Sequence, residues 1–246
     1  MNPMRWEPRT YRLDMDAAGL VSFTCAQGET DLHVSARTGL RGETEVLVAG
    51  LRADLERHIS AHPRWAESYV PVDAGEGAPE IVRAMSAAAR EAGTGPMAAV
   101  AGAIAERVAR GLQTRSREVI VENGGDLYLC GEMPRRVLVV AGDSPLSGKI
   151  AVHLDVADLP VAVCTSSGKV GHSVSLGIAH AVTVLADDGA LADAVATAAG
   201  NVVHSAEDVE RALDRAMSVR GVRGAVVIAG DRVGFRGRVN VGPADR

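Results

Sequence analysis

Ala192-Asp193-Ala194-Val195-Ala196-Thr197-Ala198 is the run from which this chain is best read. Alanine is the strongest helix former, so the run predicts a helix. Residues four apart on a helix stand on one face, which projects Asp193 and Thr197 together. A carboxylate and a hydroxyl are both hard oxygen donors suited to Mg²⁺. The same spacing also describes any alanine-rich helix that shows an Asp and a Thr to solvent.

Upstream lies Cys164-Thr165-Ser166-Ser167-Gly168-Lys169-Val170-Gly171-His172, a strand end running into small hydroxyl residues and glycines. Such a segment exposes backbone N–H groups to a phosphate, with Lys169 as a point charge. A polar turn between strands accounts for it equally well. Cys164 stands near Lys169 and His172, and positive neighbours favour a thiolate; most lone cysteines, by contrast, are small buried hydrophobes.

Glu122-Asn123-Gly124-Gly125-Asp126 joins two apolar strands and offers two acids and an amide for positioning a substrate. Gly-Gly is also a common hairpin turn. Gly95-Pro96-Met97-Ala98-Ala99-Val100-Ala101-Gly102 is a glycine-bounded helix start that can receive an anion at its free N–H groups, and tight packing of a neighbour against its small residues explains it equally well. His58 and His62 have helical metal-pair spacing, but Pro63 follows at once, and they read as two solvated histidines.

The rest of the chain alternates short strands with helices. Tyr11–Met15, Leu20–Phe23 and Leu32–Ser35 read as an opening antiparallel meander. Leu47, Leu51, Leu55 and Ile59 mark the stripe of a helix over 43–60, and further helices follow over 81–93 and from Pro96. After Gln113 come short apolar strands that predict a second, mostly antiparallel sheet. Ser205 with Asp208 starts a last helix, and 225–239 reads as a hairpin turning at Gly230-Asp231. The expected architecture is α+β, antiparallel sheets with flanking helices. It forms one packed unit over 1–246, with a strand and helix part to about residue 115 and a sheet-rich part from about 116.

Composition narrows function. With 47% hydrophobic but 3% aromatic residues, the core is built from Ala, Val, Leu and Ile. A net charge of -5 leaves no broad basic field, which argues against nucleic acid as the main partner. Three scattered cysteines make no disulfide framework, and no run of about 18 apolar residues is present. The expectation is a cytoplasmic protein with no membrane partner, and a homo-oligomer is compatible with it.

Gly124-Gly125-Asp126, then Thr165-Ser166-Ser167-Gly168, then Val182-Thr183-Val184 leading to Ala192–Ala198, resembles the motif series of ApbE-type FAD:protein FMN transferases. Glu29–Leu32, Gly95–Gly102, Val121–Asp126, Ser144–Gly148 and Cys164–Gly168 resemble an uncharacterised ApbE-related branch rather than a typical transferase. The resemblance implies an ApbE-like fold. It implies Mg²⁺ held by Asp193 and Thr197, with Ala162 or Thr165 near the metal or phosphate, and Asp193 as the catalytic centre. It implies FAD or another nucleotide bound by Asn123, Gly124, Gly125, Asp126, Thr165, Ser166, Ser167, Gly168 and His172, and a protein substrate receiving FMN. The chain departs from the transferases in lacking His-Ile-x-Asp-Pro, whose place is taken by His172–Gly177, and in expanding Thr-Ser-Gly to Thr-Ser-Ser-Gly. Two other readings stay open: a sulfur carrier acting through a persulfide on Cys164, and a non-catalytic binding subunit.

Overall fold

Short β-branched runs punctuated by glycine turns make the strands, and alanine- and leucine-rich runs make the helices. The described residues of the computed structural model are 9, 11, 12, 15, 17–168 and 177–244. In chain order they form β1 (Val21–Gln27), β2 (Thr30–Ala36), α1 (Arg41–Ala61), α2 (Pro63–Glu67), α3 (Glu80–Ala92), α4 (Val100–Leu112), β3 (Val119–Asn123) and β4 (Asp126–Cys130). Then follow β5 (Arg135–Leu138), β6 (Ile150–Leu154), β7 (Val161–Ser166), β8 (Ala181–Ala186), α5 (Gly189–Gly200), α6 (Val209–Met217), β9 (Val222–Ala229), β10 (Arg232–Gly237) and β11 (Asn240–Pro243).

Eight strands make one antiparallel sheet in the order β1-β2-β3-β4-β7-β8-β9-β10, and β11-β6-β5 make a small second one. This corrects the expectation that the opening meander stands apart from the later strands. Four helices intervene, yet β2 pairs with β3 from Leu32↔Asn123 to Ala36↔Val119. The reason is a shared apolar face: Leu32, Val34, Ala36, Val119 and Val121 all enter the core beneath the helices.

Side chains alternate across the sheet. One face, with Tyr128, Cys164, Val182, Val184 and Val227, packs on the helices. The other, with Ile120, Leu129, Val163, Leu185 and Ile228, packs on Val137, Val152 and Leu154 of the small sheet. The main sheet is thus covered by helices on one side and by the small sheet on the other.

Several elements follow the sequence closely. Gly93 ends α3 in the left-handed region at φ 69°, where a Cβ is strained. Ser205 and Asp208 form a reciprocal capping box, and a short 3₁₀ turn there leads into α6. Gly230-Asp231 turns β9 into β10. Two expectations fail. Tyr11 and Arg12 lie in a helical turn rather than a strand, with Arg12 N–H on the Arg9 carbonyl (3.0 Å) and Met15 N–H on the Arg12 carbonyl (3.2 Å). His58 is buried edge-on against Trp65, 4.9 Å between ring centroids, instead of solvated. Among the described residues no helix is long and apolar enough to cross a membrane.

Candidate functional site

The site is built where the strand ends meet α4 and α5. Gly124 and Gly125, both with positive φ (69° and 101°), make the two-residue turn between β3 and β4. Only a tight turn of this kind puts Asn123 and Asp126 directly opposite each other, so both side chains emerge on the helix-covered face. Asn123 Nδ2 donates to the Ala101 carbonyl at the start of α4 (3.2 Å). Asp126 Oδ1 accepts from the Thr165 N–H (3.1 Å).

Helix α5 brings Asp193 to the same place. Asp193 Oδ2 accepts from the Gly102 N–H in the first turn of α4 (2.9 Å), where a carboxylate meets the positive end of a helix. The approach is close: a Cβ at Gly102 would lie 2.1 Å from the Gly189 carbonyl oxygen. The small residues of α4 are therefore explained by α5. In return, Glu106 of α4 accepts from the Gly189 N–H (2.7 Å), the first amide of α5.

The electrostatics are those of two acids without a counter-charge among the described residues. Burial pushes the Asp193 carboxyl up to about 7, against the pull of the Gly102 and Ala101 amides. Burial and then the neighbouring Asp193 charge hold Asp126 well above the ordinary carboxyl range. Among the described residues neither carboxylate forms an ion pair. The Ser166 hydroxyl, on the same face, is buried with no hydrogen-bond partner. Thr197 stands one helical turn beyond Asp193.

Asn123, Asp126, Ser166, Asp193 and Thr197 line one cleft of 2270 Å³. It exceeds an ordinary ligand pocket of roughly 300–1,000 Å³ because it continues round the strand ends to Tyr11 and His153 on the other face. The donor set fits a hard divalent cation, which takes carboxylate and hydroxyl oxygens and completes its shell with water or phosphate. Among the described residues no cluster of three or more His, Cys, Asp or Glu forms, so a cation here would lean on its ligand's own oxygens.

Other expected residues take different places. Gly124, Gly125, Thr165 and Ser167 border the cleft. The Thr165 side chain, however, points to the opposite face, with Oγ1 2.9 Å from Thr183 Oγ1, and only its amide reaches the acidic pair. Ala162 is fully buried in mid-strand between Tyr128 and Ala186 and is not part of the cleft wall. Gly168 is also absent from the wall. Its missing Cβ leaves room for the Gly177 carbonyl, 2.0 Å from where that atom would be. Lys169 and His172 lie outside the described residues. Cys164 is fully buried beneath α5, its thiol donating to the Gly189 carbonyl (3.7 Å). Burial and the nearby Asp126 and Asp193 raise its pKa well above the ordinary thiol value, which reverses the expected activation and gives persulfide chemistry no support.

The free amides expected at the Gly95–Gly102 helix start do receive an anion, the Asp193 carboxylate on Gly102 and Ala101. Sequence reasoning missed the partner role of Glu106. The crowding of small residues over 98–105 was the only signal for that partnership, because a carboxylate's backbone partner leaves no mark in side-chain identity.

Comparison with known proteins identifies the family and the fold. Residues 13–235 match the family model described as AbpE bacteria. The UPF0280 protein of Methanocaldococcus jannaschii is 40% identical over 202 residues, 80% of this chain and 82% of that one. That of Methanopyrus kandleri is 46% identical over 194 residues, 76% and 78% of the two chains. Among solved structures, the apo flavinyl transferase ApbE of Pseudomonas stutzeri superposes with a TM-score of 0.57 at 19% identity, covering 90% of this chain and 96% of that one. The ApbE protein of Thermotoga maritima gives 0.56 at 13% identity, with 89% and 97% covered. These solved structures share the α+β fold, and the chain belongs to the ApbE-like superfamily, in the AbpE bacteria family and alongside the UPF0280 proteins.

Proposed function

We propose that the cleft binds a flavin nucleotide or a related nucleotide pyrophosphate together with Mg²⁺, and that flavin transfer to a protein is the reaction this binding serves. The observation that carries the reading is the desolvated Asp126 and Asp193 pair, which lacks a cationic partner among the described residues and stands on the wall of a large cleft. The solved structures of the same fold are flavin transferases, which supports the choice of ligand.

Asp193 and Thr197 would hold the cation, with Asp126 adding negative charge behind them. When bound, Mg²⁺ offsets the charge of a pyrophosphate and of a departing nucleotide. The Gly102 and Ala101 amides fix the Asp193 carboxylate on the cleft wall without reorganising. The Thr165 amide does the same for Asp126, and Asn123 ties the turn to α4. The glycines of the turn let a ligand come close to the backbone.

Calorimetric titration of FAD with and without Mg²⁺, together with an assay for released AMP, tests this reading. Asp193→Ala should abolish the Mg²⁺-dependent binding. Wild-type protein that neither binds FAD nor releases AMP with Mg²⁺ ends the proposal; binding without AMP release reduces it to a binding subunit.

A further inference from the structure

Behind the site's turn, on the face away from the helices, lies a carboxylate that the cleft chemistry does not use. Glu122 is 1% exposed. Burying a carboxylate is costly unless it is paired and hydrogen-bonded, and here it is both. Its Oε1 accepts from the Tyr11 hydroxyl (2.7 Å) and from the Gly125 N–H (2.9 Å). Its Oε2 accepts from Arg12 Nε (2.7 Å), with Arg12 Nη2 at 2.6 Å. The same guanidinium spans to β2: Nη1 donates to both carboxylate oxygens of Asp31 (3.0 Å each) and Nη2 to the Asp31 carbonyl (2.7 Å). Arg9 donates to that carbonyl as well (2.6 Å).

One guanidinium therefore ties the start of β2 to Glu122, two residues before the Gly-Gly turn, and Glu122 grips the turn by the Gly125 amide. Asn123 and Asp126 flank the turn on the opposite face. We infer that Arg12, Tyr11 and Glu122 are positioning residues, a clasp from the N-terminal segment that holds the Gly124-Gly125 turn so that Asn123 and Asp126 keep their places beside Asp193. The inference rests on reading the cleft as a cation and nucleotide site. The clasp depends on a planar fork of donors, which Arg supplies and Lys does not.

The test uses the full chain with Arg12→Ala, Arg12→Lys and Tyr11→Phe, and Val48→Ala, a core change on α1, as the control for general loosening. Hydrogen exchange at the Gly125 amide should quicken about tenfold in Arg12→Ala and Arg12→Lys, and less in Tyr11→Phe. Mg²⁺-dependent FAD affinity should weaken about tenfold in the same two variants, the scale of losing a residue that orients a metal-binding group. Val48→Ala should lower the melting temperature while leaving both readouts unchanged. Unchanged exchange at Gly125 in Arg12→Ala overturns the clasp, as does an equal effect in Val48→Ala. Faster exchange with unaltered FAD affinity overturns its positioning role. If wild type binds no FAD, the functional reading fails on its own, and the exchange measurement alone then decides whether the clasp exists.

Discussion

Glu106 and Asp193 each cap the other's helix: Asp193 of α5 accepts from the Gly102 amide of α4, and Glu106 of α4 accepts from the Gly189 amide of α5. The exchange is reciprocal, and it occurs where the two backbones come closest. One of the two acids faces the cleft, and the other is held inside by Arg110 Nε (2.6 Å). The pair thus divides one kind of interaction into a half enclosed between the helices and a half on the cleft wall.

Glu106→Ala leaves the Gly189 amide buried without an acceptor, which should cost about 2 kcal/mol. Glu106→Gln retains an oxygen and should cost about half of that. Urea unfolding of the three proteins checks the order, and equal stability across them would show that the cap contributes nothing.

Gly102→Ala places a Cβ 2.1 Å from the Gly189 carbonyl oxygen and 2.8 Å from the Asp193 Cβ, so one helix must shift. Overpacking of backbone against backbone should cost about 3 kcal/mol or more. Gly50→Ala on α1 meets nothing within 4 Å and serves as the control. Melting temperatures that fall equally in both variants would contradict the close approach of α4 and α5.

The Asp193 carboxyl, raised by burial from 3.8 to about 7, predicts an unusual pH dependence. Between those values the folded chain keeps a proton that the unfolded chain has released. Stability from this group therefore falls as pH rises through the window and levels off above it. Asp126 is raised in the same sense. The stability difference between wild type and Asp193→Asn, followed by urea unfolding in EDTA, reads the Asp193 share together with its effect on Asp126. It should decline from acid to neutral pH, and a level or rising difference would remove the case for a desolvated carboxyl.

All three thiols are buried. Burial raises the pKa of each, that of Cys130 to about 12. Native protein should react with Ellman's reagent at least about 100-fold more slowly than unfolded protein, because the thiolate is the reacting form. A single fast native thiol lost in Cys164→Ser would restore a reactive role for that residue.

Much of this was legible in the sequence, for identifiable reasons. The α5 run, the 81–93 helix with its Gly93 end and the Gly230-Asp231 hairpin are local patterns, and local patterns survive folding. Asp126 and Asp193 were found through the order of their motifs, not through their spacing. The joining of β2 to β3 was not readable, since pairing across four helices has no local mark. Nor was the direction of Thr165. A strand places alternate residues on opposite faces, and which face is inward depends on partners elsewhere in the chain. Ala162 was carried over from a resemblance and fell on a mid-strand position that offers the cleft no group.

The two contacts that define the acidic pair span the chain widely: Gly102 to Asp193 across 91 residues and Asp126 to Thr165 across 39. Contacts that close long loops tend to come late in folding, after the loop entropy has been overcome by other pairings. The site therefore exists only once β2, β3, β4 and β7 have found their order and both helices have docked. A ligand that needs all of it has nothing to hold in a half-formed chain. Under the proposed reading, binding favours the completed molecule alone, so FAD with Mg²⁺ added during refolding should slow unfolding without speeding the approach to the native state.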